Sequence, residues 1–411
     1  MVITSAPGKI LWIGGYSVLE KGNVSFVTGV DKRVYAKADK SDEIHLKLSQ
    51  FSVELTGKFD GHKLIFDNMT DDEKKYSSFV RVAVETCLRY FKHKGIAVSG
   101  VSIETISDPA FGFGETKTGL GSSAAVTTAT IAALFELHGL SIEHNRDMIH
   151  KMAQYMHFRV QGKVGSGFDI AASCFGAIAY SRYSPELIKD IPETASIKEV
   201  ASAVDKEWDY SAEHIALPYG FLASVGNFIG ESASTSAMVK KINEWKTANP
   251  DEYKALMKEL NNANIDALKW LRKINEIYDS DSQCYDELLS SPEDSEEFIG
   301  FKQAFNKGRL LTKKLGELSG AAIESDEYSQ IIEETMKHGA FVAKLPGAGG
   351  GDNISAISLS KSAKHKTEHY WTNCVIKEIE PVPISINNEG VRIEDNGVFS
   401  DIRNIFLNNN I

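Results

Sequence analysis

Three glycine-bearing segments, each with a charged residue beside it, are where this chain could do chemistry. Residues 117–125 read Lys-Thr-Gly-Leu-Gly-Ser-Ser-Ala-Ala and open a long run of alanine, threonine and larger apolar residues. That order suits an anion. Gly119 and Gly121 let the backbone approach closely, the N–H groups of a following first helical turn have no carbonyl partner, and the helix dipole adds partial positive charge. Ser122 and Ser123 can bond phosphate oxygens or a magnesium ion. The spacing is neither that of a P-loop nor the Gly-x-Gly-x-x-Gly of a dinucleotide fold. Alone, the segment reads equally well as a structural glycine turn with serine N-caps.

The other two glycine segments, and a lysine near the start, supply what a single loop cannot. Ser5-Ala6-Pro7-Gly8-Lys9 reads as a Pro-Gly turn between two strands, presenting one lysine. Residues 162–176 put Asp169 after a glycine-rich turn and before a small-residue helix, and residues 344–353 form another anion-accommodating loop. Each has a plain structural reading: Lys9 a solvated turn lysine, Asp169 a helix N-cap, residues 347–351 a linker. Arg159, Lys163 and Lys344 are weighed as anion ligands against ordinary cations, the latter favoured. His157 reads as a packed or surface histidine, and Lys240 and Lys241 as a solvated helix face.

The elements that must hold these residues follow from periodicity. The chain starts mostly as β, with strands over residues 2–5, 11–14, 23–28 and 33–39 and alternating stretches over 42–66. Phe79, Val80, Ala83, Val84, Cys87, Leu88 and Phe91 recur at helical spacing, so a helix crosses to a strand at 98–104. Helices are expected over 124–137 and 142–161. Residues 185–213 read as a surface connection, and a domain boundary is placed there. Beyond it lie helices over 237–273, 293–317 and 327–338, with strands at 220–225, 341–344, 354–359 and 374–379.

Composition narrows the function. A chain of 411 residues, 42% hydrophobic and 25% charged, suits a soluble multidomain protein. The formal charge of −11 argues against wrapping nucleic acid, so an anionic ligand must meet local cations. The four cysteines are far apart and without zinc spacing, which suits reduced thiols and a cytoplasmic setting. No signal peptide is expected. The uncharged run at 118–135 reads as a buried helix rather than a membrane span.

Taken together, Pro7-Gly8-Lys9, residues 119–124 (Gly-Leu-Gly-Ser-Ser-Ala) and Gly347-Ala348-Gly349-Gly350 occur in an order that resembles the GHMP kinase superfamily. The resemblance spans nearly the whole chain. Within it, residues 117–126 and 162–169 are most similar to the branch whose acceptor is 5-phosphomevalonate. The resemblance implies an α+β, two-domain GHMP kinase fold with the active site in the cleft between domains at 1–190 and 215–411. It implies ATP-dependent conversion of 5-phosphomevalonate to 5-diphosphomevalonate in isoprenoid synthesis, with Mg²⁺. Mevalonate or mevalonate 3-phosphate as acceptor, or a silent metabolite sensor, are the alternatives.

The resemblance also assigns roles. Lys9, Lys117 and Asp169 are the catalytic set, the lysines neutralising charge and Asp169 beside the acceptor. Gly119, Leu120, Gly121, Ser122, Ser123 and Ala124 hold ATP, with Ser122 or Ser123 near the metal. Ser166, Ser234, Thr235, Gly347, Ala348, Gly349 and Gly350 are assigned to the acceptor and bound phosphates. Residues 226–230 depart from the family's tryptophan-containing version. Residues 155–159 carry no carboxylate where mevalonate-phosphorylating relatives have a metal-binding glutamate. The partner is a small molecule, with no nucleic acid or membrane expected and monomer or homodimer left open.

Overall fold

The alternating apolar residues of the first hundred positions build one large sheet. The computed structural model describes residues 1–112, 118–192, 194–230 and 235–409. Its main path runs Arg392–Ile393, Val2–Ile13, Ser25–Ser41, Gly100–Ser107, Ile44–Leu48, Val53–Phe59 and Leu64–Phe66. The Ile44–Leu48 and Gly100–Ser107 strands pair in parallel. Parallel neighbours need a crossover, and the helix Ser78–His93 supplies it, burying Val80, Ala83, Val84, Cys87, Leu88 and Phe91 as the spacing predicts.

Two expectations are corrected here. Pro7-Gly8 is not a turn: Val2–Ile13 is one strand, and its register against Ser25–Ser41 shifts between Pro7 and Lys9. Proline has no N–H to give to a ladder, and the irregularity falls directly after it, between the Pro7–Arg33 and Lys9–Gly29 pairs. Residues 185–213 are not a plain surface connection either. They contain Ile197–Asp205, a helix with a Ser196/Glu199 capping box that buries Val200, Ala201, Ala203 and Val204.

Ser122–Leu137 is buried on almost every side, including Thr127, Thr128 and Thr130. An all-round apolar helix belongs inside, and this one lies across the first two strands, where Thr4 Oγ1 donates to the Ala129 carbonyl at 2.8 Å. The loop before it therefore rests on a rigid floor.

The second half carries a four-stranded antiparallel sheet ordered Val342–Lys344, Asn353–Ser358, Leu222–Phe228, Ile379–Val382. Beside it lie Thr235–Ala248, Pro250–Ser280 and Glu296–Ser319. The helical pattern expected over 237–273 is two helices, because Pro250 cannot continue a ladder but fits a first helical position. Val24 N–H donates to Asn261 Oδ1 at 2.9 Å and Asn264 Nδ2 to Ser17 Oγ at 2.9 Å, joining the long helix to the turn after the first strand.

The chain's last strands return to the first sheet. Arg392–Ile393 pairs with Thr4 and Ser5, and Ile386–Asn387 with Gly29 and Val30. Arg33, 1% exposed, donates to Ser5 Oγ at 2.6 Å and to the Gly390 carbonyl at 2.6 Å, and lies 3.8 Å from Glu394. Among the described residues, no helix is long and apolar enough to cross a membrane.

Candidate active site

The helix Ser122–Leu137 begins at Gly121, which holds φ of 84° and offers no side-chain cap. Its first-turn amides are thus left for an external acceptor. Lys9 ties the turn down twice: its N–H donates to the Leu120 carbonyl at 2.9 Å and its Nζ to the Gly119 carbonyl at 2.7 Å. Leu120 is 2% exposed, a burial worth about 2 kcal/mol. Glycine is required at 121 for a second reason. A Cβ there would lie 3.2 Å from Lys9 Cε. At Gly119, φ of 65°, a Cβ would meet Asn353 Nδ2, which donates to the Thr118 carbonyl at 3.0 Å.

Asp169 sits in the first turn of Phe168–Phe175, which starts from Gly167 at φ 80°. One of its oxygens accepts from the Ile170 N–H at 2.9 Å. Lys9 Nζ lies 5.5 Å from the Phe168 ring centroid. Burial lowers the Lys9 pKa, and the charges of Asp169 and Asp352 oppose that fall. Lys9, Asp169 and Asp352 all line the space beside the phosphate-type turn. On the next helix, His157 Nε2 is 3.2 Å from Ser123 Oγ and 3.2 Å from Gln161 Nε2. Burial depresses its pKa, with Asp169 again opposing, so a neutral ring faces the serine.

The late loop follows the strand Val342–Lys344. Gly347, Gly349, Gly350 and Gly351 all hold positive φ. Gly350 N–H donates to the Ile323 carbonyl at 2.8 Å, and a Cβ at Gly349 would come 2.5 Å from that carbonyl oxygen. Lys344 is buried beneath, its pKa pushed down to about 8 by desolvation, with Glu324 opposing.

These segments enclose one cleft of about 1090 Å³. That exceeds the usual space for one drug-sized ligand and suits a nucleotide with a second small molecule. Lys9, Gly119, Leu120, Gly121, Ser122, Ser123, Ser166, Asp169, Thr235, Gly347 and Ala348 all line it. Ala124 is buried, and neither it nor Gly349 or Gly350 is among the residues that line the cleft. Lys117 and Ser234 lie outside the described residues.

Sequence reasoning missed several wall residues. Tyr16, Asp352 and the face of Thr235–Ala248 carrying Val239, Lys240 and Asn243 all reach the cleft. Asp352 had a signal, since it directly follows the last glycine. Lys240 did not, because lysine on a polar helix face reads as solvated. His157 is both packed and at the cleft, and Lys163 Nζ donates to Ser236 Oγ at 2.9 Å across it.

Among the described residues there is no cluster of three His, Cys, Asp or Glu suited to a metal. Magnesium in nucleotide sites needs only one or two protein oxygens, the rest being phosphate and water. The Ser122 and Ser123 hydroxyls and the carboxylates of Asp169 and Asp352, all lining the cleft, fit that requirement.

Comparison with known proteins agrees with this geometry. The model for GHMP kinases N terminal domain matches residues 78–177, and that for GHMP kinases C terminal matches 301–377. The phosphomevalonate kinase of Candida albicans is 30% identical, over 88% of this chain and 91% of its own. That of Saccharolobus solfataricus is 29% identical, over 96% of this chain and 100% of its own. Among solved structures, Streptococcus pneumoniae phosphomevalonate kinase in complex with phosphomevalonate and AMPPNP superposes with TM-score 0.70. It covers 94% of this chain and 100% of its own at 17% identity, a likeness of fold. The chain therefore belongs to the GHMP kinase family, with phosphomevalonate kinases as relatives over nearly its whole length.

Proposed function

We propose that this chain transfers the γ-phosphoryl group of ATP to the phosphate of 5-phosphomevalonate, releasing ADP and 5-diphosphomevalonate. An acceptor phosphate oxygen forms the new P–O bond while the bond to the β–γ bridging oxygen breaks. The supporting observation is convergence: Lys9, the 119–123 turn, Asp169 and the outer part of the late loop share one cleft although far apart in sequence.

Phosphoryl transfer is chiefly positioning and charge neutralisation. The amides of the uncapped first turn and Ser122 and Ser123 hold the donor phosphates. Lys9, fixed by its bond to Gly119, offsets charge where donor and acceptor meet. Lys117 is assigned a second such role from the sequence resemblance. Asp169 orients the acceptor and Lys9. A phosphate monoester, with second pKa near ~6, is already largely ionised at neutral pH and has no need of the strong base that an alcohol requires. Mg²⁺, held by Ser122 or Ser123 with the nucleotide, would neutralise phosphate charge when bound. The free thiols of all four cysteines suit the cytoplasmic setting proposed for it. The domain division at 1–190 and 215–411 is retained as a proposal, with the strands at 386–393 crossing to the first sheet.

An ADP-release assay with 5-phosphomevalonate, mevalonate and mevalonate 3-phosphate tests the acceptor. Turnover is expected with the first, with a diphosphate product by phosphorus NMR. Faster turnover of either alternative would overturn the assignment.

A further inference from the structure

We infer that Tyr16 is a positioning residue that fixes the late glycine loop and the acceptor end of the cleft from the opposite half of the molecule. Its backbone is the first observation. Tyr16 holds φ 60° and ψ −42°, with Ser17 N–H donating to the Gly15 carbonyl at 2.7 Å. This is the positive-φ γ-turn, rare and strained for a residue with a side chain. Glycine would adopt it freely, and Gly14 and Gly15 directly precede it. A tyrosine kept there must contribute through its side chain.

Neighbours enforce the turn. Val18 N–H donates to the Gly14 carbonyl at 3.0 Å, Leu19 N–H to the Tyr16 carbonyl at 2.9 Å, and Asn264 holds Ser17. The side chain then spans the two halves. Its hydroxyl donates to the Ala348 carbonyl at 2.6 Å and lies 3.7 Å from Met238 Sδ. Tyr16 is 7% exposed and packs in a cluster with Met238, Ile242 and Ile323. One side chain from the end of the first strand thus touches the glycine loop, the Thr235–Ala248 helix and the cleft.

The loop has reason to need that tie. Four positive-φ glycines leave its conformation weakly determined, and its other backbone bonds run to Ile323 and within the loop itself. A carbonyl engaged by a phenol is also kept from facing a bound anion. Burial raises the Tyr16 pKa, so the phenol remains a donor at neutral pH.

The role in acceptor binding rests on the function proposed above, whereas the tie itself does not. Tyr16→Phe keeps the ring and removes the bond. Hydrogen exchange of residues 346–351 in the ligand-free protein should speed up about tenfold, the equivalent of one buried hydrogen bond. The KM for 5-phosphomevalonate should rise about tenfold while that for ATP stays within about twofold. Unchanged exchange at 346–351 would overturn the inference, as would equal shifts in both KM values, which a general loosening would give. Wild-type protein inactive on 5-phosphomevalonate would instead count against the proposed function, leaving the exchange result to decide on Tyr16. Tyr16→Gly loses the packed ring as well as the bond, so its exchange at 346–351 should be at least as fast as that of Tyr16→Phe; protection equal to wild type would also overturn the inference.

Discussion

The two glycine segments that meet across the cleft are held in opposite ways. The 119–121 turn is bonded by both nitrogens of Lys9, anchored by buried Leu120 and followed at once by a helix packed into the first half's core. The 347–351 loop has more glycines, is followed by a strand, and is tied outward through Ile323 and Tyr16. Donor phosphates are the same in every turnover and suit a fixed cradle. The acceptor must enter and leave as a larger product, which suits a wall held by few bonds.

The sharpest way to break this contrast is Lys9→Met, which removes both the cation and the turn's Nζ tether. We expect kcat to fall by about 10³ or more, as for loss of a preorganised charge, with circular dichroism unchanged. Next comes Gly121→Ala against Gly349→Ala. The first strains a φ of 84° and pushes on Lys9, so kcat/KM for ATP should fall about 10²-fold. The second collides with the Ile323 carbonyl and should raise the acceptor KM more than that of ATP. If both variants injure the same parameter, the two loops do not divide the substrates.

Asp169→Asn is expected to lower kcat about tenfold with an unaltered pH profile, because an orienting group has no proton to take. Near-complete loss at every pH would restore a base. The smallest effect on turnover belongs to Lys344→Met, which reads the base of the late loop through stability. Lys344 has a pKa of about 8 in the fold against 10.5 ordinarily. Between those values the unfolded chain binds more protons, so stability rises with pH; below about 8 the fold carries the full penalty, roughly 3 kcal/mol. The variant should therefore be more stable at pH 7, with a flatter denaturation midpoint between pH 8 and 10.5.

Much of this was legible in the residues. Gly119, Gly121 and the two serines mark an anion-facing helix start whatever the fold around them, because backbone access and unpaired amides are local properties. Asp169 after Gly167 was legible for the same reason. Pro7-Gly8 misled, since the sequence does not say that a partner strand can absorb a bulge. Tyr16 was invisible: its turn is held by the Val18 N–H on the Gly14 carbonyl and by Asn264, far along the chain, on Ser17. Lys240 is solvated, as its polar helix face suggested, and it also borders the cleft, which a polar face does not reveal. The break at Pro250 was readable, but a continuous apolar period on both sides obscured it.

The return of residues 386–393 to the first sheet carries a consequence for synthesis. Thr4 pairs with Ile393, so this strand waits for a partner that leaves the ribosome long after it. Until then Arg33 lacks its Gly390 and Glu394 contacts, and an unmatched guanidinium in that interior is costly. A nascent chain released short of this segment would leave the edge of its main sheet open and its first strand ready to pair with a stranger.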